Sequence, residues 1–197
     1  ATGVGLSLQP GKASAALKTN ARIVIAGSGL GGVAAANRLA RELDGAKITI
    51  VDRKEIHNYQ PGYTLVATGI WPVDKVSDRN ADLIPAGVEW VKEMVAEFDP
   101  EANAIVTDAG RRIEYDYLIV ATGLQIDFAQ IEGMDAAAIG THGLGCVYPS
   151  PEAAQATWQA MDAYRQKGGQ ALMTLPATPL KCAGAPLKMT FMIVDRL

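Results

Sequence analysis

The chain has 197 residues, a formal net charge of −3, a pI of about 5.4, and a composition that is 49% hydrophobic and 20% charged. This is the composition of a globular domain. No apolar run nears the ~18 residues a membrane-spanning helix needs, and without a basic stripe no nucleic-acid partner is expected. Cys146 and Cys182 stand 36 positions apart and make neither a zinc motif nor a disulfide framework. His57 and His142 have no companions at metal spacing, so no metal site is expected.

Residue 1 is Ala rather than Met, and residues 187–197 read as a helix without a stop signal, so the chain reads as a piece of a longer polypeptide. Residues 1–15 open small and apolar, and Ala13-Ser14-Ala15 fits the small-x-small pattern that signal peptidase cleaves. The stretch reads either as an N-terminal arm or as the remnant of an export signal. Its Gly-rich, weakly hydrophobic character resembles twin-arginine leaders, which implies a periplasmic protein.

Arg22–Ala26 is a fully apolar strand of the kind buried in a parallel sheet. A glycine-rich turn follows, then an Ala-rich helix over 33–43, then a second strand, Lys47–Val51, ending at Asp52. Strand, turn, helix and strand in about 30 residues make a βαβ unit. Residues 53–81 read as a loop region, with Gln60-Pro61-Gly62 and Trp71-Pro72 as breakers. Residues 88–95, Ala104–Thr107 and 112–115 read as short strands separated by turns, an antiparallel meander inserted in the domain. Residues 117–121 are again a buried parallel-type strand, closing at Thr122-Gly123; 151–166 is helical, 170–175 a strand, 176–186 an irregular loop. Arg79, Lys92, Arg111 and Arg112 read as solvated surface charge.

Gly27-Ser28-Gly29-Leu30-Gly31-Gly32 is G-x-G-x-x-G placed directly between a strand and a helix. Gly27 permits the tight turn, Gly29 lets the backbone approach a pyrophosphate, and Gly32 lets helix and strand pack closely. The phosphates sit at a helix N-terminus, where unpaired N–H groups and the dipole favour anions. Asp52, 25 residues after Gly27, ends the next strand, where it can accept hydrogen bonds from ribose hydroxyls. It also disfavours a 2′-phosphate. The unit alone separates neither FAD from NAD.

The later half does. The meander followed by Tyr117-Leu118-Ile119-Val120-Ala121-Thr122-Gly123 resembles the second FAD motif of flavoproteins with two dinucleotide-binding domains, and Val95 matches the position whose backbone faces adenine there. That resemblance implies FAD, with Gly27, Gly29, Gly32, Asp52, Arg53, Gln60, Val95, Ala121, Thr122 and Gly123 as its contacts. The expected fold is α/β: a Rossmann-like FAD-binding domain over 16–145 with an inserted antiparallel β-meander, then the start of a second Rossmann-like domain over 146–197.

In that second unit the place of the glycine motif is taken by a loop carrying Pro176, Pro179, Lys181, Cys182, Gly184 and Pro186. Proline fixes φ and removes N–H donors, so the loop cannot cradle a pyrophosphate in the usual way. Cys182 lies just before Pro186, a good first residue for a helix, and beside Lys181, a setting that activates a thiol. A buried small hydrophobe is the other reading.

The segment Thr178-Pro-Leu-Lys-Cys182-Ala-Gly-Ala-Pro186-Leu-Lys188 resembles the active-site loop of sulfide:quinone oxidoreductases. Tyr59-Gln60-Pro61 with Thr64-Leu65-Val66, Ile84-Pro85-x-Gly87-Val88-Glu89-Trp90, and Trp158 match that family too. The resemblance implies that Cys182 is one of two redox cysteines flanking the flavin. Sulfide attacks their disulfide or sulfur-bridged form and leaves a persulfide; the other thiolate passes two electrons to FAD, and quinone reoxidises it. The family's chains are about twice as long, with the second cysteine, the quinone pocket and membrane-attaching helices after the stretch seen here, so this fragment is not expected to turn over. Two alternatives stay open: the flavin subunit of flavocytochrome c sulfide dehydrogenase, which delivers electrons to haem, and a non-catalytic FAD-binding redox module. Cys146 reads as a loop thiol with no essential part.

Overall fold

A computed structural model describes residues 16–175, 178 and 182–197. In chain order the elements are β1 Leu17–Lys18, β2 Arg22–Ala26, α1 Leu30–Glu42, β3 Leu43–Asp44, β4 Lys47–Val51, β5 Ile56–Asn58, α2 Tyr63–Val66, β6 Ser77–Arg79, α3 Asn80–Leu83, β7 Glu89–Val91, β8 Val95–Asp99, β9 Ala104–Thr107, β10 Arg112–Glu114, β11 Tyr117–Val120, α4 Pro151–Lys167 and α5 Ala185–Arg196. They fall into two compact units, one of residues 16–53 with 83–122 and one of 54–82 with the described residues of 123–197. The export-signal reading of residues 1–15 lies outside the described residues.

The first unit is built on a four-stranded parallel sheet in the order β11-β2-β4-β7. Side chains alternate across a strand, and both faces of this sheet are covered. Ile23 and Ile25 of β2 and Ile48 and Ile50 of β4 pack with Ala36 of α1. Val24 and Val51 point the other way, against Val91, Ile105 of the meander and Tyr115. That is why both strands read as nearly continuous apolar runs. Each fully buried aliphatic side chain here contributes on the order of 1.5–3 kcal/mol. The meander itself is the antiparallel sheet β10-β9-β8, with a bulge between Val95 and Glu97.

The helix after the glycine turn starts at Leu30 rather than at 33, with Gly29 as its N-cap, so it takes in Gly31 and Gly32. Glycine's low intrinsic propensity, ~1 kcal/mol below Ala, is overridden there by packing. The expected single strand over 88–95 is two, β7 and β8, because Lys92-Glu93-Met94 carries the chain out of the parallel sheet and into the meander. The final strand of the sheet ends at Val120 and the last meander strand at Glu114, each one residue earlier than expected.

In the second unit, the expected loop over 53–81 contains the antiparallel pair β5–β6 and α2. Tyr63, Val66 and Ala67 pack there with Val76, Ala154 of α4, and Met189 and Ile193 of α5. α4 starts where the Oγ of Ser150 accepts the Ala153 N–H at 3.1 Å, with Pro151 in the first turn. It stops at Gly168, φ +71°. α5 has Pro186 in its first turn and buries Met189 and Ile193, one turn apart.

Residues 170–175 are not a strand, contrary to the sequence expectation. A strand exists only where a neighbour supplies ladder hydrogen bonds, and among the described residues none does so for this segment. Leu172 is 85% exposed. Of the irregular loop after it, Pro176, Pro179 and Lys181 lie outside the described residues.

Candidate functional site

The glycine turn sits at the C-terminal ends of β2, β4 and β11, where open α/β sheets take their ligands. Gly27 has φ +106°, and a Cβ on it would meet the Ala121 carbonyl oxygen. Its N–H donates to the Val51 carbonyl at 2.9 Å. A Cβ on Gly32 would run into the Gly27 carbonyl oxygen. Gly29 is the opposite case: it is exposed, and a Cβ there would meet nothing within 4 Å. Two glycines thus let backbone pack on backbone, and the third leaves an open approach to the N-terminus of α1. The first N–H groups of a helix have no intrahelical acceptor, so this face suits an anion.

Asp52 is buried beside the turn at 8% exposure. One carboxylate oxygen accepts the Ser28 N–H at 2.8 Å and the Ser28 hydroxyl at 3.0 Å. The Asp52 N–H donates to Val91 at 3.1 Å, and its carbonyl accepts the Trp90 indole N–H at 2.7 Å. The residue is therefore fixed at both backbone and side chain. On the β11 side the Ala121 N–H donates to the Ala26 carbonyl at 2.8 Å, and the Ala121 and Thr122 backbone lies against Gly27. Gly123 follows at φ +78° with open space at its Cβ position. Arg53 is exposed and pairs with Asp108 at 2.8 Å, and half-buried Val95 stands at the head of β8 beside the bulge.

The structure thus brings Gly27, Gly29, Gly32, Asp52, Ala121 and Thr122 together around one turn. Its parts fit the pyrophosphate and ribose of a dinucleotide such as FAD. The open backbone at Gly29 leaves room for phosphates at the start of α1, and the fixed carboxylate stands at the end of the adjacent strand.

Gln60 and Cys182 belong to the second unit. Gln60 is exposed and begins the short 3-10 turn Gln60–Gly62. His57 is buried, its Nδ1 3.3 Å from the Asn80 Oδ1, and Asn80 in turn donates to the Lys54 carbonyl at 2.7 Å. This is a structural role. Among the described residues no three His, Cys, Asp or Glu side chains gather to hold a metal.

Cys182 is exposed and free, and its carbonyl accepts the Ala185 N–H at 3.2 Å at the start of α5. Cys146 is half-buried and also free, so the two are not joined. The Cys146 N–H donates to Thr157 Oγ1 at 2.9 Å, and that hydroxyl lies 3.1 Å from the Cys146 carbonyl. Burial pushes the Cys146 thiol up, against the opposing hydrogen bond from the Tyr148 backbone. A thiol held protonated is a weak nucleophile. Burial also raises the Tyr148 hydroxyl, with the charge of Cys182 adding to it.

Several hydrogen bonds that shape the site escaped the sequence reading. Ser28 is an unspecified position of the motif, Trp90 stood out only as a match to a known family, and Asp108 carried no signal beside the turn at Ala109-Gly110. Their partners are 24, 38 and 55 positions away.

The sequence profile of the pyridine nucleotide-disulphide oxidoreductase family matches residues 21–168. The mitochondrial sulfide:quinone oxidoreductase of Mus musculus is 36% identical over 181 residues, 89% of this chain and 38% of its own length. The enzyme of the same name from Dictyostelium discoideum is 36% identical over 182 residues, 92% of this chain and 40% of its own. The solved structure of the sulfide:quinone oxidoreductase from Aquifex aeolicus superposes with a TM-score of 0.59 at 27% identity, covering 78% of this chain and 33% of that one. The chain spans about two fifths of the length of the curated relatives it matches.

Proposed function

The chain belongs to the pyridine nucleotide-disulphide oxidoreductase family, and on that premise we propose that it is the FAD-holding part of a flavoprotein that oxidises sulfide and passes the electrons to quinone. The observation that carries the reading is the glycine turn, open at Gly29 and closed against Ala121 on its other side, with Asp52 fixed beside it. The choice of sulfide and quinone is supported by the names of relatives similar over about nine tenths of this chain.

In this reading the backbone at Gly29 and the start of α1 hold the pyrophosphate, and Asp52 holds the ribose. Arg53 and Val95 face the adenosine half; Gln60, Ala121, Thr122 and Gly123 complete the contacts. When bound, FAD supplies a two-electron acceptor. Cys182, exposed and free ahead of α5, is the redox thiol. It forms a disulfide or sulfur bridge with a second cysteine outside these residues. Hydrosulfide adds to one sulfur of a disulfide and releases the other, giving one persulfide and one thiolate. Residues 1–15 are proposed as the tail of an export signal cut near Ala15, which places the protein in the periplasm; a segment outside this chain would attach it to the membrane surface. Among the described residues no helix is long and apolar enough to cross a membrane.

Cys182→Ser in the full-length protein tests the assignment. The variant should keep its flavin and lose sulfide-dependent flavin reduction. Retained reduction would remove Cys182 from the chemistry.

A further inference from the structure

We infer that Asp108 is the positioning residue for the adenosine end of the proposed cofactor site. From the turn between β9 and β10, its Oδ2 accepts the Arg53 guanidinium at 2.8 Å, and its Oδ1 accepts the Met94 N–H at 3.0 Å. The Asp108 N–H returns a bond to the Met94 carbonyl at 2.9 Å. One side chain therefore ties one proposed cofactor contact, Arg53, to the residue just before another, Val95. Arg53 directly follows the ribose acid Asp52, and Met94 directly precedes Val95, where the bulge begins. Bulges re-aim the chain next to ligand sites, and a fastened Met94 fixes where this one starts. The inference rests on the reading of Arg53 and Val95 as FAD contacts.

The chemistry follows from the partners. A guanidinium is planar and lies well against an aromatic base, but Arg53 is 62% exposed at its side chain and would otherwise sample many rotamers. Asp108, 37% exposed, is itself already fixed by the paired bonds to Met94, so only Arg53 has freedom left to lose. A second tie, Arg111 to Glu93 at 2.9 Å, fastens the same turn to the same connection independently of Asp108. Loss of the Asp108 charge should therefore misplace Arg53 without releasing the meander.

The test uses Asp108→Asn and Arg53→Ala, singly and together, in the full-length protein, with FAD affinity read by titration of the flavin-free form. Asparagine keeps an oxygen for Met94 while losing the charge that holds Arg53. Each single variant should bind FAD about two- to five-fold more weakly, the range of an exposed ion pair. The double variant should bind no more weakly than the worse single, with the melting temperature of the flavin-free protein unchanged. A purely structural Asp108 would instead lower the melting temperature and add its loss to that of Arg53→Ala. Additive losses, a lowered melting temperature, or wild-type affinity in Asp108→Asn would each overturn the inference while leaving FAD binding intact. A wild-type protein that takes up no FAD would overturn both.

Discussion

Substituting Ala for Gly29 and for Gly32, one at a time, separates what the glycine turn does for a ligand from what it does for the fold. At Gly29 the backbone is extended, φ −69° and ψ −174°, and a Cβ would meet nothing within 4 Å. Ala is the poorer N-cap by roughly 0.5–1 kcal/mol, and its smaller unfolded-state entropy returns about 0.4–1 kcal/mol, so stability should stay level. The added methyl stands in the approach to the start of α1, and FAD affinity should fall by about ten-fold or more, ~1.4 kcal/mol. At Gly32 the methyl would strike the Gly27 carbonyl, with the Gly27 carbonyl carbon 3.0 Å and the Ile25 Cγ2 3.4 Å away. Helix propensity favours Ala by about 1 kcal/mol, but overpacking against backbone costs about 1–3 kcal/mol, and backbone yields least. The net is a destabilisation of up to about 2 kcal/mol, towards the upper end because the obstacle is backbone, together with a displaced turn. The assay is thermal unfolding of the flavin-free protein by circular dichroism, beside FAD titration of the same preparations. A Gly29→Ala protein that binds FAD like the wild type would refute the reasoning. So would one that melts as early as Gly32→Ala.

Asp52→Ala should release flavin during gel filtration, since it removes both the proposed ribose acceptor and the anchor of Ser28; unchanged flavin stoichiometry would count against the ribose contact. Thr157→Val should lower the unfolding temperature by several degrees, about 1–3 kcal/mol. It strips a buried hydroxyl that accepts the Cys146 N–H and donates to the Ala153 carbonyl at 2.8 Å. Tyr63 is buried against the second core, and burial, with the Glu152 charge adding to it, pushes its phenol up to about 12. Its raised pKa contributes stability that is fully present below pH 10 and is lost as the pH climbs towards 12, because the unfolded chain ionises first. Tyr63→Phe should flatten that alkaline decline in chemical denaturation curves, and an unaltered decline would assign it to other groups.

Much of this was legible in the sequence where one signal and one packing demand coincide. β2, the glycine turn, α1 and β4 are local, and the apolar runs of both strands reflect a sheet covered on each face. α4 was legible as a helix over 151–166, and the structure bounds it with the Ser150 cap, Pro151 and Gly168. The failures share a cause: the deciding partner is distant in sequence. Residues 170–175 carry a strand's composition without a ladder neighbour among the described residues. α2 is four residues long and stands because Tyr63 and Val66 pack against Ala154, about ninety positions on. Residues 92–94 looked like strand because nothing local says that Met94 is fastened to Asp108. The site shows the same division. The glycines and Asp52 follow a motif whose spacing is the signal, whereas Ser28, Trp90 and Asp108 act through hydrogen bonds across the fold.

The most direct test of the account is an anaerobic addition of sulfide to the purified full-length protein while the yellow flavin absorption is followed. Bleaching of a tightly held, stoichiometric FAD is the result predicted here. A bound flavin that stays oxidised would contradict sulfide as the electron donor while leaving the dinucleotide fold in place.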